Sequence, residues 1–300
     1  MNRLIAAGCS FTNFYWPSWA DYLGATLFDK YVNLGAGGAG NRYIFTSLCW
    51  MLEHGELTKD DTVIIAWSGI PREDRILPGN HHWEHTGNIH YQDTYPEEGV
   101  KKYFSVLSTS TELLSYITSL DLAFKKIGCQ VIMTCMFPWH IEKFLGEPAV
   151  PLIALDDFKL WKKYGYDQML EKYYNKYLIK PSIEEFKWKI DSSPNWVMYH
   201  PDFGVQDDDH PCSWVHFKYA TDILAPLIKR TAKPLKELLN ETIEANAKEW
   251  SKFYKSKENV ASLGMINDFT MKRPNLLWVN RKDIPPKPDM HDFKYIEPWI

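Results

Sequence analysis

The sequence predicts an α/β fold organised around a parallel sheet, and three observations predict it. Short, mainly apolar segments at residues 3–9, 62–67 and 130–136 read as buried strands, and residues 31–34 are a further short strand candidate. Amphipathic stretches with helical spacing separate them, at residues 17–27, 43–54 and 97–127. Strand alternating with helix is the pattern of a doubly wound sheet, whose ligands bind beyond the carboxyl ends of the strands.

Taken in order, Leu4-Ile5-Ala6-Ala7 is the body of the first strand, which stops at Gly8, with Ser10 two residues later. Pro17-Ser18 opens a helix whose apolar face repeats at Trp19, Tyr22, Leu23 and Leu27. Tyr31-Val32-Asn33-Leu34 is the second strand and runs into Gly35-Ala36-Gly37-Gly38-Ala39-Gly40-Asn41. The next helix sets Ile44, Leu48, Met51 and Leu52 on one face. Thr62-Val63-Ile64-Ile65-Ala66-Trp67 is the clearest strand, led in by the turn Lys59-Asp60-Asp61. The long helix after it closes at Lys125-Lys126-Ile127-Gly128, cations followed by glycine being a stop signal. Gln130 to Met136 is the fourth strand, closed by Pro138; Asn195 to Tyr199 reads as the last, and residues 213–229 as the closing helix.

Two segments interrupt this alternation. Residues 70–96 form a polar, aromatic, His-rich connection, long enough to read as a functional loop. Residues 140–190 carry many Trp, Tyr and Lys and read as an inserted helical cap. A charged helix over Glu237 to Tyr254 and a Pro-rich tail ending in Trp299-Ile300 follow. The expected organisation is therefore a core domain over 1–231 and an extension over 232–300. That extension lies across its own domain or on another subunit, so a homo-oligomer or larger assembly is one expectation.

Composition narrows the function classes. Hydrophobic residues at 45% and charged residues at 24% describe a globular protein. A formal charge of −4 and the lack of a basic block argue against a nucleic-acid partner. No apolar run is long enough to span a bilayer, and the start has no signal-peptide pattern, so a cytoplasmic protein is expected. The five cysteines show no metal-type pairing; Cys49, Cys129 and Cys135 read as buried hydrophobes in a reducing compartment. Aromatics reach 15% with 13 Trp, which serves either a core or the stacking of sugar rings.

Chemistry-bearing residues collect at the predicted strand ends: Ser10, Gly38, the Ser68-Gly69 turn, and Phe137 to Trp139. The most reactive local grouping is distant, Asp207-Asp208-Asp209-His210-Pro211, where His210 reads either as a turn histidine or as a general base. Gly35-x-Gly37-x-x-Gly40 meets the dinucleotide fingerprint in form. It follows the second strand, however, and no acidic residue caps a strand about twenty residues on, so a nucleotide is not expected. His81, His82, His85 and His90, with Glu84, are dense enough to raise a metal. Pro78-Gly79-Asn80 before them and Gly87-Asn88 after them oppose a rigid helix, so a polar loop is the expectation and no metal site is assigned. Arg72 and Arg75 either bind a substrate anion or pair with Glu73 or Asp74. Cys9, adjacent to Ser10, points to the other side of an extended chain and is expected to be buried and inert.

Set together, these motifs resemble the SGNH (GDSL-type) hydrolases over residues 3–229. Gly8-Cys9-Ser10-Phe11-Thr12 resembles the first block, with Ser10 in the nucleophile's place. Asn33-Leu34-Gly35-Ala36-Gly37-Gly38 resembles the second, whose last glycine gives a backbone N–H to the oxyanion. Asp207-Asp208-Asp209-His210-Pro211 resembles the fifth, which makes His210 the base and Asp207 its partner, with Asp209 the rival orienter. Two departures stand out: Cys9 replaces the usual Asp, and Trp67-Ser68-Gly69-Ile70-Pro71-Arg72 lacks the third-block Asn. In this combination the chain is similar to divergent members carried by bacteriophages, which would allow a virion location.

The resemblance implies a three-layer α/β/α sandwich with a mainly parallel, flavodoxin-like sheet. It further implies a Ser10-His210-Asp207 triad that needs no cofactor and forms an acyl-serine. The backbone N–H groups of Ser10 and Gly38 serve as oxyanion donors. Asn41 is the first candidate for the missing side-chain donor, against the plainer role of a helix cap; Ser68 is the second. Ser68, Arg72 and Trp139 are candidate substrate contacts, and His216 is expected to pack on the closing helix. The expected substrate is an O-acetyl or short acyl ester on carbohydrate. The rival expectation is a binding or structural protein, such as a virion component, on a hydrolase-like scaffold.

Overall fold

A computed structural model describes residues 2–14, 16–76, 105–137, 162–191 and 210–255, with the backbone of segments 83–88, 196–200 and 204–208. The fold is mixed α/β. Strands β1 (Arg3–Gly8), β2 (Lys30–Asn33), β3 (Asp61–Trp67) and β6 (Gln130–Cys135) form a four-stranded sheet of order β2-β1-β3-β6. All three pairings are parallel. Parallel neighbours need a crossover, and helices α1 (Trp19–Leu27), α2 (Asn41–Glu53) and α3 (Val106–Ile127) provide it.

The sequence dictates each of these elements locally. Every residue of β3 is buried, as are Leu4 to Gly8 of β1, so the uncharged runs match strands with no solvent face. Ser18 caps α1: its side chain accepts from Ala20 N–H while Asp21 accepts from Ser18 N–H, a capping box. Helix α3 ends at Gly128, whose φ of 84° makes it a left-handed cap. The register places Gly8 beside Ala66 and Trp67 beside Cys135, so the carboxyl ends of β1, β3 and β6 lie close to level.

The structure revises three sequence expectations. Residues 70–96 are not all loop: β4 (Arg72–Ile76) and β5 (Trp83–Asn88) pair antiparallel. The charged run Arg72-Glu73-Asp74-Arg75 hides β4, whose strand character comes from backbone pairing and from one buried side chain, Asp74. The segment read as the last strand, β7 (Trp196–His200), pairs antiparallel with β8 (Gly204–Asp208) in a separate two-stranded sheet. Three intervening residues suffice for an antiparallel partner and are too few for a parallel one. The closing helix is shorter than expected. Helix α6 (Ser213–Tyr219) follows two helices of the 140–190 segment, α4 (Tyr166–Tyr177) and α5 (Ile183–Ile190). It passes into a π turn over Ala220–Leu224 and a 3₁₀ turn over Ala225–Leu227, where Pro226 has no N–H to give.

The described part of the extension shares the core. Ala232 and Lys233 N–H groups both donate to the Leu27 carbonyl. Helix α7 (Glu241–Lys255) packs on α6, and Leu238, Ala247, Trp250 and Phe253 join the same buried cluster as the sheet. Residues 256–300 lie outside the described residues. No helix among the described residues is long and apolar enough to cross a membrane.

Candidate active site

The site starts at the end of β1, where the lack of a side chain on Gly8 lets the chain fold back on itself. A Cβ there would stand 2.1 Å from Thr12 Oγ1 and 3.0 Å from the Ala66 carbonyl. With that space open, Thr12 and Asn13 N–H groups both donate to the Cys9 carbonyl, at 2.9 and 3.2 Å. This tight turn carries Ser10 out of the strand. Neighbouring side chains pin it: Asn33 Nδ2 and Ser18 Oγ donate to the Thr12 carbonyl, and Asn13 Nδ2 donates to the Gly35 carbonyl at 2.9 Å.

Ser10 and His210 meet. The serine Oγ lies 2.7 Å from His210 Nε2, across 200 residues of chain, and Ser10 is only 3% exposed. The imidazole is gripped through its ring as well. Phe14 stacks on it face to face at 3.9 Å with a 13° tilt, and Phe11 meets it edge-on at 5.3 Å. Around the histidine, Trp16 Nε1 donates to the Pro211 carbonyl at 2.9 Å, and Ser213 Oγ donates to the Pro17 carbonyl at 3.0 Å. Because the single Ser213 proton goes to Pro17, Tyr22 must donate in its 2.6 Å contact with Ser213 Oγ. The loop after Ser10 and the loop after His210 are thus stitched together. Sequence reading missed Phe11 and Phe14 as partners of the histidine; their places one and four residues after Ser10 were the available signal.

In the sheet β1 is flanked by β2 and β3, so the turns that follow those two strands lie at the same carboxyl edge. Gly38 takes a φ of 74° in a turn closed by Ala39 N–H donating to the Ala36 carbonyl, while Ala36 N–H donates to Gly8. Asn41 is buried, and its amide spans to the β3 turn. Its Oδ1 accepts from Ser68 N–H at 2.8 Å, and its Nδ2 faces the Ser68 and Gly69 carbonyls at 3.3 and 3.4 Å. Ser68 Oγ is fully buried and has no hydrogen-bond partner among the described residues. Arg72 is half-buried, with Nη1 enclosed and without a hydrogen-bond partner among the described residues, whereas Arg75 lies 3.9 Å from Glu73.

Other expected residues fall as follows. Cys9 is fully buried with its Sγ 3.2 Å from Met136 Sδ. Asp207 lies in β8, its backbone registered with Val197, whereas Asp209 and Trp139 lie outside the described residues. His216 on α6 is fully buried, and neither ring nitrogen has a hydrogen-bond partner among the described residues. Burial pushes its imidazole down to about 3, and the nearby His210 pushes the same way, so it stays neutral. His81, His82 and His90 lie outside the described residues, while Glu84 and His85 sit in β5; among the described residues no cluster of metal-binding side chains occurs.

The arrangement is chemically specific. A hydroxyl lies within proton-transfer distance of an imidazole at the carboxyl edge of a parallel sheet. Beside it, a glycine-rich turn follows β2 and an unpaired buried hydroxyl follows β3. No protein-family model matches the chain, and a search of curated proteins returns no match.

Proposed function

We propose that the chain is a serine hydrolase of SGNH type that cleaves carboxylic esters through an acyl-serine, and the 2.7 Å contact of Ser10 Oγ with His210 Nε2 is the observation that carries this reading. Serine is a weak nucleophile until a base takes its proton during attack. As the Ser10 Oγ bonds to the ester carbonyl carbon, His210 Nε2 takes the hydroxyl proton. The tetrahedral intermediate then collapses, the C–O bond to the alcohol breaks, and His210 returns the proton to that alcohol. Water repeats the sequence on the acyl-serine, releasing the acid and restoring Ser10. Asp207, three residues before His210, serves as the partner of the other ring nitrogen.

The oxyanion is proposed to rest on the backbone N–H groups of Ser10 and Gly38. For the third donor, the unpaired Ser68 hydroxyl is favoured over Asn41, whose amide is engaged with the β3 turn. A three-layer α/β/α sandwich of flavodoxin-like order accompanies this reading. The strand order β2-β1-β3-β6 supports it, since the order in which strands are added reverses side at β1, leaving a crevice between β1 and β3 of the kind in which such sheets bind ligands. The substrate is proposed to be an O-acetyl or short acyl ester on carbohydrate, with Arg72, Ser68 and Trp139 contacting it. The aromatic-rich segments 70–96 and 140–190 support a sugar over a lipid.

The test is hydrolysis of an activated aryl acetate and of acetylated sugars by wild type and Ser10→Ala. Turnover should fall by about 10³-fold or more with the thermal midpoint retained. Unchanged turnover in Ser10→Ala would falsify the assignment. A folded wild type inert on every acyl ester would instead favour a binding or structural protein on this scaffold.

A further inference from the structure

The back end of the Gly35–Gly40 turn is held by a residue that the hydrolase pattern does not use. Asp74, on β4, is 2% exposed. Its Oδ1 accepts from Gly40 N–H at 2.7 Å, and its Oδ2 accepts from Tyr43 N–H at 2.8 Å. Gly40 is the N-cap of α2 and Tyr43 its third residue, so Asp74 satisfies two of the helix's orphan donors from 31 and 34 residues away. Gly40 has no side chain to do this itself. Its bare Cα is also what admits the carboxylate, because a Cβ there would stand 2.7 Å from Asp74 Oδ2 and 3.0 Å from the Arg72 carbonyl.

The front end of the same turn is tied to the nucleophile's strand. Ala36 N–H donates to the Gly8 carbonyl, Gly35 N–H donates to Asn33 Oδ1, and Asn13 Nδ2 donates to the Gly35 carbonyl. Gly38 lies midway, two residues before the pinned Gly40, in the left-handed conformation that sets the direction of its peptide groups. On the far side of Gly38, Asp74 is the side chain that holds the turn's own backbone, at Gly40, while the Asn41 side chain ties the start of α2 to the β3 turn.

We infer that Asp74 is a positioning residue for the oxyanion donor: it fixes the far end of the glycine turn and thereby aims the Gly38 N–H at the reacting carbonyl. This rests on the hydrolase reading. Oxyanion donors act through fixed geometry, each contributing about 10²–10³ in kcat, and a displacement of about 1 Å is enough to lose most of that. A structural cap alone would affect unfolding and leave kcat of the folded enzyme untouched.

The experiment measures kcat and KM on an aryl acetate for wild type, Asp74→Ala, Asp74→Asn and Gly40→Ala, with amide hydrogen exchange over residues 36–43. Asp74→Asn keeps the volume and one acceptor, so it carries the test should the alanine variant fail to fold. Gly40→Ala reaches the same contact from the other side by displacing an intact carboxylate. The expected result for Asp74→Ala is a kcat about 10- to 100-fold lower with KM within about threefold. Exchange should quicken over 36–43 while β1 and β3 exchange as in wild type. Asp74→Asn should fall between, and Gly40→Ala should resemble Asp74→Ala. Wild-type kcat in Asp74→Ala, or in both other variants, overturns the positioning role while leaving the hydrolase reading in place. A wild type with no Ser10-dependent turnover sinks both.

Discussion

The imidazole of His210 has one face against Phe14, and that contact determines how well Nε2 stays on the Ser10 hydroxyl. Stacking at 3.9 Å with a 13° tilt restricts rotation of the ring about its Cβ–Cγ bond, while the Phe11 edge blocks sideways drift. Aromatic pairs of this kind contribute about 0.5–1.5 kcal/mol beyond the area they bury. Phe14→Leu keeps an apolar side chain in place but removes the flat face. Its kcat on an aryl acetate should therefore fall about three- to tenfold, the same energy range read as rate. KM should hold, since Phe14 orients the base and its ring is already covered by the histidine. Steady-state kinetics at a single pH checks this, and an unchanged kcat would show that the turn bonds alone position the histidine.

One brace joins the elements beside this pair, and it separates the roles of Asn41 and Ser68. Asn41 joins the start of α2 to the turn after β3 through three contacts, whereas Ser68 Oγ is buried and makes none. Asn41→Ala should lower stability by about 1–3 kcal/mol, because it leaves the buried Ser68 N–H unsatisfied. Ser68→Ala removes only an unpaired hydroxyl, so its urea midpoint should match or exceed that of wild type. If Ser68 serves the oxyanion, its kcat should drop about 100-fold all the same; full kcat in Ser68→Ala would remove it from the site. Much of this framework is legible in the sequence. β1, β3 and β6 are readable because strands buried on both faces are mainly apolar, β2 because Tyr31-Val32 is a short apolar run before a glycine cluster, and Ser10 because it follows such a strand through a glycine. The β4–β5 pair and β8 are not, since polar strands give no periodic signal; β7 reads as a strand, but its antiparallel partner is hidden in the Gly204–Asp208 run. Phe14 is also hidden, because an aromatic near a strand end has a sufficient explanation as core. Asp74 is hidden for a different reason. A cap is recognised by its place beside the helix it serves, and this one comes from another strand.

At the scale of the whole molecule, the histidine that the proposed chemistry does not use governs how stability responds to acid. His216 is fully buried on α6, and among the described residues neither ring nitrogen has a hydrogen-bond partner. Burial first, and the neighbouring His210 second, push it down to about 3 from an ordinary value of 6.5. Above 6.5 the side chain is neutral in both folded and unfolded chains, so it gives stability no pH dependence there. Between 6.5 and 3 the unfolded chain binds a proton that the folded chain refuses, so stability is progressively lost as pH falls through this window. At pH 5 that loss amounts to roughly 2 kcal/mol from this one residue. Replacing it by an apolar side chain of similar volume breaks no hydrogen bond and removes the penalty. His216→Met should accordingly match wild type at pH 7 to within about 1 kcal/mol, the cost of a volume-conserving core swap. At pH 5 it should be more stable than wild type by about 2 kcal/mol relative to that baseline. Urea unfolding of both proteins at the two pH values measures the double difference, in which every other titrating group cancels. A double difference near zero would mean that His216 takes up its proton in the folded state, through an opening of the core that admits water beneath the Ser10–His210 pair.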